Sequence, residues 1–166
     1  MSALAPQSVV PVSRESFAEA MSRLVSGVTV VTARQPGGEA CGLLVTSICS
    51  YSADPPSVLV AVGDHRRSHP ALVACAQFGV HLLGALDQAV ADVFAGSSAD
   101  KFAAVAWDWD GEVPRLNRVP VFLRCARRAA LHHGDHSIII GEVVEVTIQT
   151  GEPLVYYRRQ LSWRLC

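Results

Sequence analysis

At 166 residues, half of them apolar, the chain is long enough to close one substantial core and short for two domains of ordinary size. Charged residues make up 17% and the formal net charge is -1, so neither a general nucleic-acid-binding surface nor an acidic disordered tail is indicated, and any ligand specificity must come from local charge. Cys41, Cys49, Cys75, Cys125 and Cys166 are odd in number and contain no CxxC pair, which fits free thiols in a reducing cytoplasm.

Residues 1–12, rich in Ala, Pro, Ser and Val without a period, read as a flexible arm ahead of one domain over 13–166. The apolar run Val9–Val12 is broken by Pro11, has no basic residue before it and is followed by Arg14 and Glu15, which is unlike a signal peptide. The longest apolar runs are strand-sized, far below the roughly 20 residues a membrane helix needs, so a soluble protein without a membrane partner is expected. From Arg14 onward, Phe17, Ala20, Met21, Leu24 and Val25 recur at helical intervals between a candidate N-cap, Ser13, and a stop, Gly27.

Three β-rich segments follow, Val28–Ala33, Ala40–Ser52 and Ser57–Val62, separated by the turn formers Pro36-Gly37-Gly38 and Asp54-Pro55-Pro56, and they read as an antiparallel meander. Ser68 is placed to cap a short helix through Cys75, Phe78–Leu83 reads as a strand, and Ala85–Ala95 as a helix with Leu86, Ala89, Val90 and Val93 on one side. Residues 96–118 show no clear period and read as an elaborated connection. Val121–His132 and His136–Gln149 are extended and joined through Gly134-Asp135, where a glycine at the first central position suits a type II′ turn. Successive hairpins with few helices predict a mainly β fold, a closed antiparallel barrel with peripheral α-helices, because closure removes strand edges.

No GxGxxG, P-loop, GxSxG or HExxH pattern occurs, so Rossmann, P-loop, hydrolase and zincin chemistries are unsupported. Within Gly42–Pro56, strand periodicity puts Thr46, Ser50 and Ser52 on one face and turns Ser47 and Cys49 away unless a bulge intervenes. Such hydroxyls could bind the ring or phosphate of a flavin, yet taken alone they fit ordinary solvent-facing surface better. Arg66 and Arg67 before a helix capped by Ser68 suit a phosphate, and are equally consistent with solvated surface. His132, His133, Asp135 and His136 are zinc-ligand types, but neighbouring strand residues face opposite sides, and His65 and His69 straddle a loop-to-helix boundary, so no metal is expected. His136 is either a turn histidine bonding its own hairpin or a ligand contact. Trp107 and Trp109 read as packing residues.

Five elements in order carry a resemblance over about residues 15–160. They are Phe17-Ala18-Glu19-Ala20-Met21 leading to Gly27-Val28-Thr29-Val30-Val31-Thr32, the segment ending in Ser52-Ala53-Asp54-Pro55-Pro56, Asp100-Lys101-Phe102, Gly134-Asp135-His136 with Gly141 and Val143, and Pro153-Leu154-Val155-Tyr156-Tyr157. In these the chain resembles the short-chain flavin reductases that serve two-component monooxygenases. The resemblance implies a Greek-key split β-barrel that forms a homodimer, binds FMN or FAD at the dimer interface and oxidises NADH or NADPH. It implies that the strand holding Thr46, Ser47, Ile48, Cys49, Ser50 and Ser52 cradles the flavin and that Arg66, Arg67 and Ser68 lie near its phosphate. Asp135 and His136 would lie where the nicotinamide docks. Lys101 and Phe102 are either a solvent-facing Lys and a core Phe or a border to the flavin edge, and Tyr156 and Tyr157 sit in a strand-like tail that could close the site. Leu44 and Cys49 depart from the family pattern, which has small or hydroxyl residues there. The implied reaction is hydride transfer from C4 of the nicotinamide to N5 of the flavin, with the reduced flavin released to a separate monooxygenase. A flavin-retaining oxidoreductase acting on an organic substrate and a non-catalytic flavin- or haem-binding module are the alternatives.

Overall fold

A computed structural model describes residues 10–163. Most of the expected arm, residues 1–9, and Cys166 lie outside the described residues. Val10 and Val12 are exposed and belong to no regular element.

Ser13 caps helix α1 (Arg14–Ser22) as its spacing predicts, its Oγ accepting the Ser16 N–H at 3.1 Å. The helix stops short of Val25 because the N–H groups of Arg23 and Leu24 bond back to the carbonyls of Ala20 and Met21, a tightened last turn. Its apolar positions find no cover among the described residues: Phe17 is 61% exposed and Met21 is 44% exposed.

The strands are β1 (Ser26–Gly27), β2 (Thr29–Arg34), β3 (Ala40–Val45), β4 (Ile48–Ala53) and β5 (Pro56–Gly63). After helix α2 (His69–Ala74) come β6 (Gln77–Leu82), helix α3 (Gln88–Ala95), β7 (Trp107–Asp110) and β8 (Val113–Leu116). The chain ends its described course with β9 (Val121–His133), β10 (His136–Ile148), β11 (Val155–Tyr157) and β12 (Gln160–Trp163). Seven of these form one antiparallel sheet in the order β3-β2-β6-β9-β10-β5-β4, flanked by the small sheets β1-β11-β12 and β7-β8.

Strand β2 explains the arrangement. Its residues from Thr29 to Ala33 are all buried, so apolar material must cover both faces. On one face Val31 and Ala33 join Leu43, Val45, Val60 and Phe78 beneath α2. On the other, Val30 joins Leu83, Phe94, Leu116 and Leu154 beneath α3 and the C-terminal segment.

Ala40–Ser52 is not one strand. It breaks at Thr46-Ser47, and this link hands the chain from one edge of the large sheet to the other. The sheet curls around the core that Leu43 and Val45 of one edge share with Val58 and Val60 near the other. Among the described residues no ladder joins β3 to β4, so the barrel expected to be closed is open in its hydrogen bonding. The expected meander likewise splits into the pairs β2–β3 and β4–β5.

Residues 96–118 hold a 3-10 turn (Phe102–Ala104) and the β7–β8 hairpin. An Asp110-Gly111 step between apolar alternations was the sequence signal for that hairpin, and Gly111 supplies the positive φ of 60°. Trp107 and Trp109 pack as expected, in an edge-on chain running from Phe94 through Phe102. At the β9–β10 turn, φ is positive at Gly134 and not at Asp135, the pattern of a type II′ turn.

Candidate functional site

A groove of about 590 Å³ lies beside β3, between the β5–α2 loop and the segment leaving α3. Its volume falls in the range of about 300–1,000 Å³ that encloses small ligands. The floor comes from Ala40–Leu44 of β3, one wall from His65–Ser68, and the other from Phe94–Ala99 with Lys101 and Phe102. Five of the expected residues therefore meet here: Arg66, Arg67, Ser68, Lys101 and Phe102.

The charges in this groove are all of one sign. Arg66, Arg67 and Lys101 line it, no carboxylate does, and none of the three joins an ion pair among the described residues. Two of them are held by backbone instead. Lys101 Nζ donates to the Phe94 carbonyl at 2.6 Å, and the Arg67 guanidinium donates to the carbonyls of Ser97 and Ser98, tying the two walls together. Burial lowers the pKa of Lys101, and the neighbouring Arg67 and Arg66 charges lower it further, so an anion entering the groove relieves a repulsion that already exists. Phe102 is buried against Phe94 and Trp107 and is part of the core wall.

Ser68 differs from expectation. Its side chain makes no cap bond to α2; it is buried and donates to the Gly42 carbonyl at 3.0 Å. That bond pins the loop to the floor strand and spends the hydroxyl proton, so the Ser68 side chain is not a free phosphate donor. With α2 only six residues long, the arginines and Lys101 must supply the attraction.

The strand expected to cradle the flavin adjoins this groove where β3 ends, and it corrects the face assignment. Ser50 pairs with Val58, but Ser52 pairs with Ser57, so a bulge between them adds a residue to β4. Directly opposite residues share a face, which puts Ser50 on the side of Val58 and Ser52 on the side of Ser57. Thr46 sits in the link before β4, so Thr46, Ser50 and Ser52 do not form the single row that strict alternation predicts. Two hydroxyls are also engaged: Ser47 Oγ donates to the Ala61 carbonyl at 2.8 Å, and Ser52 Oγ bonds the Asp54 backbone in the following turn. Cys49 and Ser50 are exposed and Ile48 half-buried. As an edge strand, β4 keeps one row of backbone N–H and C=O groups without ladder partners, and these remain open to a ligand.

The Gly134-Asp135-His136 turn reaches the groove through His65. Asp64 N–H donates to the Asp135 carbonyl at 3.0 Å, and His136 pairs with Gly63. Gly63 leaves room for the His65 ring, which would stand 2.7 Å from a Cβ at that position and would have to shift. His136 Nδ1 bonds Asp135 Oδ1 at 2.7 Å, and this bond holds the Asp135 carboxyl below its ordinary pKa. Tyr156 lies elsewhere, on β11 opposite Ser26, packed against the α3 side of the core.

Sequence reasoning missed three features. Asp64 bonds His69 at 3.1 Å and approaches His132 at 3.4 Å, while His69 Nε2 lies 2.8 Å from the buried Ser137 hydroxyl, so the loop of arginines is clamped to the hairpin. The run Ala95-Gly96-Ser97-Ser98-Ala99 is the second wall, and its small residues were the available signal of close approach. Gln35, at the far end of the floor, also lines the groove.

Comparison with known proteins identifies the family. Residues 21–163 match the model of the flavin reductase like domain. A NADH:riboflavin 5'-phosphate oxidoreductase from Streptomyces pristinaespiralis is 41% identical over 155 residues, covering 89% of this chain and 86% of that protein. The reductase component of a 4-hydroxyphenylacetate 3-monooxygenase from Thermus thermophilus is 38% identical, covering 90% of this chain and 98% of that protein. Among solved structures, a Streptomyces globisporus NADH:FAD oxidoreductase in complex with NAD and FAD fragments superposes with a TM-score of 0.86 at 30% identity, covering 97% of this chain and 98% of that one. The chain thus belongs to the flavin reductase like domain family.

Proposed function

We propose that this protein is an NAD(P)H:flavin oxidoreductase that reduces FMN or FAD and supplies the reduced flavin to a separate monooxygenase. The observation that carries the reading is the groove in which Arg66, Arg67 and Lys101 stand together without a carboxylate. Such a groove fits a flavin phosphate, which would make charge-assisted hydrogen bonds to the guanidinium and ammonium groups. The flavin ring would lie beyond the groove along Thr46–Ser52, held mainly by open backbone groups of the β4 edge and by the Thr46 and Ser50 hydroxyls, which no hydrogen bond engages among the described residues. When bound, the flavin supplies the hydride acceptor, and the chemistry of transfer is its own.

The residues of the chain provide alignment. His136, oriented by Asp135, presents its free Nε2 edge beside the groove for the nicotinamide amide or ribose. Holding two rings in contact converts a bimolecular encounter into an effectively unimolecular step, worth up to about 7–11 kcal/mol of barrier in well-oriented systems. No nucleophile or strong base is needed.

The same reading includes a homodimer of residues 13–166 with a split-barrel body. The uncovered apolar positions of α1 and of β10, such as Phe17, Val146 and Ile148, supply the surface a second copy would cover. Tyr156 completes the site only if that copy brings it there. No helix among the described residues is long and apolar enough to cross a membrane.

The test is the consumption of NADH and NADPH by purified protein with FMN, with FAD and with neither. Turnover that requires an added flavin is the expected result; no turnover with any pair overturns the reading.

A further inference from the structure

Asp64 and His69 close the neck of the loop that carries Arg66 and Arg67. Two successive turns build this loop: the Arg66 N–H bonds the Gly63 carbonyl at 3.0 Å, and the His69 N–H bonds the Arg66 carbonyl at 2.9 Å. Across its base His69 Nε2 stands 3.1 Å from Asp64 Oδ1. The loop is thus shut by a side-chain contact where β5 ends and α2 begins.

The same two side chains reach the β9–β10 hairpin. His69 Nε2 lies 2.8 Å from Ser137 Oγ, and Ser137, which directly follows His136, is buried. Asp64 Oδ2 approaches His132 Nδ1 at 3.4 Å, and His132 is the register partner of Ser137. A carboxylate only accepts, so the Asp64 contact puts a proton on His69 Nε2, and that single N–H is shared between Asp64 and the Ser137 oxygen. One ring nitrogen therefore joins the end of β5, the start of α2 and β10. Neither Asp64 nor His69 lines the groove. What they fix is the position of the arginine loop relative to the His136 turn.

Binding and hydride transfer tolerate displacement differently. Moving a phosphate from about 4 Å to about 5 Å from a guanidinium weakens their Coulomb attraction by about a fifth. Hydride transfer needs reacting atoms about 3–3.5 Å apart, and a misplacement of about 1 Å can cost about 100-fold in rate. We infer that Asp64, His69 and Ser137 form a positioning clamp that holds the arginine loop and the His136 turn in one frame, and that the clamp governs the rate of hydride transfer rather than affinity for either ligand. This role rests on the proposed reaction, whereas the clamp itself stands on the contacts alone.

Anaerobic stopped-flow mixing of NADH with the flavin-loaded protein, followed by flavin bleaching, separates transfer from binding. His69→Ala lowers the limiting transfer rate about tenfold or more, while the flavin Kd and the NADH concentration at half-maximal rate change less than about threefold. His69→Gln, whose amide N–H can still donate to Asp64, recovers part of the rate. Ser137→Ala, which removes a single oxygen and leaves α2 intact, shows the same split with a smaller loss. Parallel losses in rate and in both affinities, or an unchanged rate with a lowered melting temperature, overturn the inference. Hydrogen exchange on the full chain without ligands reads the clamp independently of turnover. In His69→Ala the amides of residues 64–69 and 132–137 lose protection together, and a loss confined to the loop overturns the clamp. If both segments respond while the wild-type protein reduces no flavin, the proposed reaction falls and the clamp stands; if flavin is reduced at a rate insensitive to both variants, only the inference falls.

Discussion

His81 and the groove are two places where the fold puts polar groups near its interior, and it disposes of them in opposite ways. His81 on β6 is wholly buried, and both ring nitrogens have partners: Nδ1 donates to the Val30 carbonyl at 3.1 Å and Nε2 accepts the Leu116 N–H at 3.0 Å. These bonds fix one neutral tautomer, and burial lowers the pKa to about 4. In the groove, Arg66, Arg67 and Lys101 have no counter-charge among the described residues. A satisfied buried group holds the structure together, whereas a charge without a counter-charge at an opening is a place for a ligand. The sequence contains six histidines, and the most deeply buried of them, His81, has no part in the proposed chemistry.

The largest effect should come from breaking the satisfied side. His81→Ala strands the Val30 carbonyl and the Leu116 N–H, opens a cavity and removes the ring tilted against Phe122 at a centroid distance of 5.0 Å. A loss of about 3–5 kcal/mol in unfolding free energy is expected by urea titration; a loss below about 1 kcal/mol would mean that water replaces the ring.

The pH dependence sharpens the same point. His81 in the unfolded chain has a pKa of about 6.5, and its folded value lies near 4. A group depressed in the folded state contributes stability that is fully present above the unfolded pKa. As pH falls from about 6.5 to about 4, the unfolded state takes up the proton first, so stability declines across that window by about 3 kcal/mol. Urea midpoints measured between pH 7 and pH 4 should show this decline, and a protein whose midpoint is flat over that range would contradict the buried neutral imidazole.

On the unsatisfied side the sign reverses. Arg66→Ala should weaken flavin binding about tenfold, an effect that shrinks at high salt, while leaving thermal stability unchanged or slightly higher because a like charge beside Lys101 is gone. Equal losses of affinity and stability would show Arg66 to be a structural residue. Fluorescence quenching of the flavin and a melting curve on one preparation decide it.

The sequence foretold whichever features depend on short-range pattern. The cap at Ser13, the glycine turn at Gly134-Asp135 and most strands follow from local stereochemistry, and they appear where spacing puts them. Features set by the sheet as a whole did not show. Within Ala40–Ser52 no proline or glycine stands at Thr46-Ser47 to mark the break; it follows from the need to pass between two sheet edges. The bulge that parts Ser50 from Ser52 is likewise a property of the pairing with β5. At the groove, the arginine pair was legible as charge, but the wall at Phe94–Ala99 and the floor at Gln35 belong to distant segments that only tertiary packing brings together.

The hairpin tests whether a partly satisfied group can still serve a ligand. His136 spends Nδ1 on Asp135, and that bond locks the imidazole plane with the opposite nitrogen facing out over Gly63, which lies 3.5 Å from Nε2 by the position a Cβ would take. Removing the ring costs no core packing, since the side chain is 47% exposed, and it leaves the arginines untouched. His136→Ala should therefore raise the KM for the nicotinamide several-fold, with the flavin dissociation constant and the melting temperature nearly unchanged. His136→Asn, which keeps a donor on a shorter arm, should recover part of the loss if the ring works through a hydrogen bond. Parallel losses in nicotinamide and flavin affinity would instead mean that the Asp135–His136 bond serves the hairpin alone, and the groove would then have to align both substrates through its cations and the β4 edge.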